Sequence, residues 1–246
     1  MSQNIGIYGK HAVEEALLNA PNIVNEIYIA PHMDDPKLQS LIERRKIRTS
    51  DIKQGFKLVP REAVHQGVIA SISTDALIHP YKDFITKLKV TPHTLLIVLD
   101  ELQDPHNVGS IIRSAAAFGA AGILISANNQ APITGTVIKV SAGMAFRVPI
   151  VAIGNINQTI RDLKDKGFWI YGLTGDAATP IMQEKFDAPS VLVVGNEGEG
   201  IRTKTLEHCD IPLRIPMDPQ CESLNAAVST AVALYAWSLK HPTKTK

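Results

Sequence analysis

The chain has 246 residues, 45% hydrophobic and 20% charged, which excludes intrinsic disorder and leaves room for one large core or two small ones. No apolar run approaches the ~20 residues that span a bilayer and no early stretch is built like a cleaved leader, so a soluble, cytoplasmic protein with no membrane partner is expected. With 25 Lys and Arg against 24 Asp and Glu the formal charge is +1, so charge alone does not point to nucleic acid. Cys209 and Cys221 have neither CxxC spacing nor histidines around them; reduced thiols and no metal are expected.

From Ile5 to Ser73 short β-like runs at 26–31, 56–60 and 67–73 alternate with helical patterns at 10–18 and 37–46, predicting a small α/β unit. Within the first unit Arg44, Arg45, Lys46 and Arg48 crowd together, and Lys82, Lys87 and Lys89 follow later; by itself such a run reads as a solvated face. His11, His65 and Gln66 form no catalytic constellation, and His65 reads as a turn residue. Residues 74–93, with prolines towards both ends of a short amphipathic centre, are expected to be a linker. The boundaries are therefore 1–73, 74–93 and 94–246.

Beyond the linker the runs at 94–100, 122–126, 168–174 and 190–196 are almost continuously apolar, as strands covered on both faces of a parallel sheet should be. Residues 224–239 have a helical pattern apolar nearly all round, so that helix must be buried on more than one side. Three polar segments interrupt this apolar background: DPHNVGSIIRSAAAFG (104–119), VVGNEGEGI (193–201) and IPMDPQCESLNAAVSTAVALY (215–235). Each joins an apolar run to a turn rich in Asn, Gly, Glu or Ser, as expected where strand ends present backbone groups to a ligand. The first strand of the larger unit lacks the G-x-G-x-x-G of a standard Rossmann domain, and GNEGEG lacks the Gly-Lys-Ser/Thr ending of a phosphate loop. A dinucleotide or ATP is a poor fit.

In order and spacing these segments resemble the three signature motifs of the SpoU (TrmH) family of RNA 2′-O-ribose methyltransferases, within the knotted SPOUT class. In addition IYGKHAVEEAL (7–17) and VHQGVIA (64–70) are similar to the ends of the L30e-like substrate-binding domain of some members. The resemblance implies an α/β fold with a trefoil-knotted, mostly parallel sheet after a small N-terminal L30e-like α/β domain. It implies S-adenosyl-L-methionine as cofactor, a homodimer, and 2′-O-methylation of a guanosine ribose in 23S ribosomal RNA. Methylation of transfer RNA, resistance-type methylation of a ribosomal adenosine, and a non-catalytic role in ribosome assembly are the alternatives.

Carried onto this sequence, the motifs imply catalytic roles for Asn107, Arg113, Glu197, Ser223 and Asn225. Cofactor contacts are implied at Thr174, Gly195, Gly198, Ile215, Met217 and Leu224. The matching Arg is proposed in the family to assist loss of the 2′-hydroxyl proton, but a guanidinium keeps its proton to a pH above about 12. Binding of the neighbouring phosphate by Arg113 is the more conservative expectation, against a helix-start pairing with Asp104. Gly109 is expected to permit a close backbone approach, and Ser223 is a candidate cap of the last helix. Relatives often carry Glu where this chain has Phe146, followed by Arg147.

Overall fold

The structure is a computed structural model that describes residues 4–74, 77–126 and 128–242. Asp75 and Ala76 of the expected linker, and the outermost residues of both terminal segments, lie outside the described residues.

The first unit contains β1 (Asn4–Tyr8), α1 (Lys10–Asn19), β2 (Val24–Ile29), α2 (Pro36–Arg45), β3 (Thr49–Asp51), α3 (Ile52–Gly55) and β4 (Val68–Ser73). Its sheet has the order β1-β4-β2-β3, with β4 antiparallel to both neighbours and β3 parallel to β2. Helix α2 begins as its sequence dictates: the Asp35 side chain accepts from the Leu38 N–H and Pro36 holds the first helical position. The run at 56–60 is not the expected strand. It is a 3₁₀ turn over Phe56–Leu58, and with Phe56 48% exposed it has no covered sheet position to fill. His65 is a turn residue whose Nδ1 accepts from the Gly67 N–H at 3.1 Å.

The expected linker needs a larger correction. It carries β5 (Ile78–Pro80) and α4 (Tyr81–Lys87), and β5 is the edge strand of the second sheet. Tyr81, Phe84, Ile85 and Leu88 pack partly buried against that sheet, and the Tyr81 hydroxyl donates to Asp162 Oδ2 at 2.5 Å. No side chain of α4 is fully buried, which is why its pattern reads as a spacer.

The second unit continues with β6 (Leu95–Asp100), α5 (Pro105–Ala117), β7 (Gly122–Ser126), α6 (Gly135–Val140), β8 (Ile150–Ile153), α7 (Ile156–Asp165) and β9 (Trp169–Leu173). It closes with β10 (Thr179–Pro180), β11 (Ser190–Gly195), α8 (Thr203–Leu206), β12 (Ile211–Arg214) and α9 (Ala226–Lys240). The sheet order is β10-β12-β9-β11-β6-β7-β8-β5, and every pairing is parallel. Alternation along β6 sends Leu95, Ile97 and Leu99 into one apolar cluster and Leu96 and Val98 into another, so both faces are covered as a parallel sheet requires.

The first of those clusters does not stop at the unit boundary, since Ile7, Val13 and Leu17 share it with Ile111, Val137 and Ile138. Helix α6 lies along β1, which would otherwise be a bare sheet edge. The approach is so close that a Cβ on Gly135 would collide with the Gly6 carbonyl oxygen. Gly135→Ala is therefore expected to cost about 1–3 kcal/mol, because neither backbone can retreat from a packed core. Gly154→Ala, where an added Cβ meets nothing within 4 Å, is the matched control. Chemical denaturation of both variants checks this, and equal stability would contradict the docking geometry.

Candidate active site

Strands β12, β9, β11 and β6 are parallel neighbours, so their carboxyl ends share one edge of the sheet, where open α/β sheets hold ligands. Strand β6 leads into α5 through Asp104, whose side chain accepts from the His106 N–H at 2.8 Å, with Pro105 at the first helical position. Asn107, one turn in, is only 6% exposed, and a buried amide needs partners.

Its partners come from the other two motifs. After β11 the chain curls back so that Asn196 and Gly200 exchange backbone hydrogen bonds at 2.9 and 3.0 Å. Asn196 Oδ1 accepts from the Gly198 and Glu199 N–H groups at 2.8 and 3.3 Å, and Gly200 takes a φ of 71°. A Cβ on Gly195 would strike the backbone of Gly200 and Ile201, so the glycine there makes the curl possible. Glu197 then stands at the tip. Its Oε1 accepts from Asn107 Nδ2 at 3.0 Å and from the Asp104 N–H at 3.2 Å, and its Oε2 from the Gln103 N–H at 3.3 Å. Asn107 Oδ1 in turn accepts from Asn225 Nδ2 at 2.8 Å. Asn225 Oδ1 accepts from the Ala227 and Val228 N–H groups, which caps α9. A single relay thus runs from Glu197 through Asn107 and Asn225 into the start of α9.

Burial would push the Glu197 carboxyl up, but hydrogen bonds from Asn107 and from backbone N–H groups outweigh it and hold the carboxyl below the usual glutamate value. A second carboxylate braces the same edge. Asp100, fully buried at the end of β6, accepts from Arg202 Nε at 2.8 Å and from the Arg202 N–H at 3.1 Å, while Arg202 also pairs with Glu101. Asp100, Asn196 and Arg202 were not singled out by sequence reasoning. The signal for Asp100 was available, because a charge closing a wholly apolar strand must find a partner.

The remaining candidates fall as follows. Thr174 ends the β9 run, its N–H donating to the Leu213 carbonyl at 3.0 Å. Ile215 and Met217, half-buried, follow β12 directly. Gly195 and Gly198 lie in the curled loop. Leu224 is 38% exposed and precedes α9, which starts at Ala226 rather than at Leu224. Ser223 is exposed and does not cap the helix, because Asn225 already receives its first N–H groups. Gly109 makes its close approach to α6: a Cβ there would lie 2.7 Å from Val140 Cβ.

Arg113 stays apart from the relay. It is exposed, and Asp104, its alternative partner, is engaged with the His106 N–H instead. Six residues of helix turn it about 120° away from Asn107. Among the described residues no three His, Cys, Asp or Glu gather to hold a metal, and no helix is long and apolar enough to cross a membrane. Cys209 is a free thiol that burial pushes up to about 12.

The Glu197 bonds are at full strength above the ordinary glutamate pKa of about 4.3 and vanish as pH falls through the lowered folded value. Glu197→Gln should therefore cost about 1 kcal/mol at pH 7, given the partial exposure of the group. The gap should narrow on acidification. Thermal melts of both proteins from pH 7 to pH 3 (about one unit below the free value) check this, and a gap independent of pH would contradict the ionised relay.

Comparison with known proteins matches two stretches of the chain. Residues 94–235 match the SpoU rRNA Methylase family model, and residues 7–77 match the model described as RNA 2′-O ribose methyltransferase substrate binding. A 23S rRNA (guanosine-2′-O-)-methyltransferase of Pseudomonas syringae pv. tomato is 35% identical over 96% of this chain and 95% of its own length. The crystal structure of the SpoU methyltransferase AviRb from Streptomyces viridochromogenes, in complex with AdoMet, superposes with a TM-score of 0.81 at 22% identity, covering 98% of this chain and 92% of that one. The A. aeolicus TrmH/SpoU tRNA modifying enzyme covers 68% of this chain and 83% of its own, with a TM-score of 0.55 and 26% identity. The chain belongs to the SpoU rRNA methylase family.

Proposed function

We propose that this protein methylates the 2′-hydroxyl of a guanosine ribose in 23S ribosomal RNA, using S-adenosylmethionine, and does so in the cytoplasm. The observation that carries the reading is the relay of Glu197, Asn107 and Asn225 at the strand ends, within a chain that aligns end to end with a methyltransferase of that specificity. Ribosomal RNA is favoured over transfer RNA because the tRNA-modifying relative leaves about a third of this chain uncovered.

The residues present suit the cofactor. Among the described residues no hydrogen bond engages the N–H groups of Ile215, Met217 or Leu224, and the side chains of Ile215 and Met217 are half-buried beside them. Apolar side chains with unengaged backbone donors can take an adenine ring and read its edge. Thr174, Gly195 and Gly198 border the same strand ends and complete the cradle. S-adenosylmethionine supplies an electrophilic methyl group, so the protein's part is alignment and the management of one proton.

Glu197 is a poor base, since both its oxygens already accept hydrogen bonds. Its task is to hold Asn107, and through it Asn225, in one orientation. Arg113, exposed and without an acidic partner among the described residues, binds the phosphate beside the target ribose and orients the hydroxyl. The proton leaves late, through that phosphate. Ser223, exposed just ahead of α9, is free to touch the RNA.

A homodimer accounts for the position of Arg113. Val228, Val232, Tyr235 and Leu239 lie 48, 37, 56 and 61% exposed along α9 at spacings of four, three and four residues, the stripe by which helices pair. Val228, Val232 and Tyr235, with Ser114 and Ala231, border an apolar groove of about 500 Å³. A second copy covers the stripe and receives Arg113 across the interface. The trefoil knot belongs to the same reading, in which the segment after β11 threads back to bring α9 against α5.

Arg113→Ala should lower methyl transfer about 100-fold while leaving S-adenosylmethionine affinity by calorimetry unchanged. Mixing Arg113→Ala with Asn107→Ala subunits should regain activity that neither has alone, because one site of each mixed dimer then holds both native residues. Undiminished transfer by Arg113→Ala would remove that residue from the mechanism, and a mixture as inactive as its parts would return Arg113 to its own subunit's site.

A further inference from the structure

We propose that Glu15 and Arg147 are positioning residues which pin the first unit on the second at one fixed angle, so that RNA held by the first meets the active site in a single orientation. The inference rests on the RNA-methylation reading above. Most of the contact between the units is apolar, running from Ile7, Val13 and Leu17 to Val137 and Ile138. Apolar burial is non-directional, and the close fit of Gly135 on Gly6 fixes one point of contact but not the rotation of one unit about it. A directional contact is needed for that.

The segment after α6 provides it. Gly143 has a φ of 78°, and a Cβ there would lie 2.6 Å from Glu15 Cβ, so the chain presses directly onto α1 at this point. The 3₁₀ turn Met144–Phe146 follows, with Phe146 only 9% exposed in the shared core. Phe146 anchors the turn, and Arg147 leaves it facing Glu15. Arg147 Nε lies 2.6 Å from Glu15 Oε2 and Nη2 lies 2.8 Å from Oε1, the two-pronged geometry that sets the planes of both groups. Glu15 is itself held, since Asn19 Nδ2 donates to its Oε2 at 2.8 Å, and its side chain is only 14% exposed.

A second polar contact comes from α6 itself. Lys139 Nζ donates to Gln66 Oε1 at 3.3 Å, and that oxygen also accepts from the Lys10 N–H at 3.1 Å. Two separated polar contacts, one of them two-pronged, remove the rotation that the apolar surface leaves open.

The test uses the full-length protein with three changes: Glu15→Arg, Arg147→Glu, and both together. Small-angle X-ray scattering reads the docking of the units, and steady-state methylation of 23S RNA reads its use. Each single change should alter the scattering profile and raise the KM for RNA about three- to tenfold. Affinity for S-adenosylmethionine and kcat at saturating RNA should hold. The double exchange should restore both the profile and the KM, which a merely disrupted surface would not do. Should either reversal prevent folding, Arg147→Lys, which keeps the charge but loses the fork, should raise the KM in the same direction by a smaller factor. Single variants with wild-type scattering and wild-type KM would overturn the proposal, as would a double exchange that restores neither. If the wild type methylates no RNA, the reading of function fails instead. Scattering together with filter binding of RNA then decides the docking claim separately.

Discussion

Everything at the active edge of this protein depends on one buried amide. Asn107 cannot be satisfied from within α5, and the only described side chains that engage it are Glu197 and Asn225, which stand 90 and 118 residues further along the chain. An unpaired buried amide costs on the order of 1–3 kcal/mol, so the three motifs are held together by the penalty for separating them as much as by attraction. That is why three short polar segments, each unremarkable alone, act as one site.

The relay demands that its ends be delivered accurately, and the surrounding structure does this with few residues. The parallel register of β6 against β11 sets Asp100 beside Gly195, so the two loops leave the sheet side by side. Asp100 and Arg202 then tie the strand that leads into the first motif to the chain that leaves the second. Asp100 is fully buried and Arg202 43% exposed, so the pair satisfies a charge that would be costly to leave unpaired and fixes the spacing of the two loops. Asn225 adds economy: one side chain caps α9 and closes the relay, so the helix that carries the exposed apolar stripe cannot shift without disturbing the site.

Much of this was legible in the sequence because burial leaves a plain trace. Strands β6, β7, β9 and β11 are covered on both faces and read as apolar runs. Strand β8 has only four residues, and β12 carries Pro212, which lacks a ladder N–H and reads against a strand, so neither stood out. Helix α4 was read as a spacer because its apolar face is only partly buried. In the site, the polar residues announced themselves against an apolar background, whereas their partners did not, since hydrogen-bond pairing depends on loop geometry. Ser223 and Asn225 are both good capping residues two positions apart, and only the folded backbone chooses. The basic cluster divides in the same way: Arg48 pairs with Glu26, whereas Arg44, Arg45 and Lys46 stay exposed with no acidic partner among the described residues.

The most direct measurement is transfer of a labelled methyl group from S-adenosylmethionine to separately purified 23S, 16S and transfer RNA lacking the modification, followed by nuclease mapping of the product. The expected result is label confined to a single 2′-O-methylguanosine in 23S RNA. Label in transfer RNA, or none in any RNA or ribosomal precursor, would contradict the account.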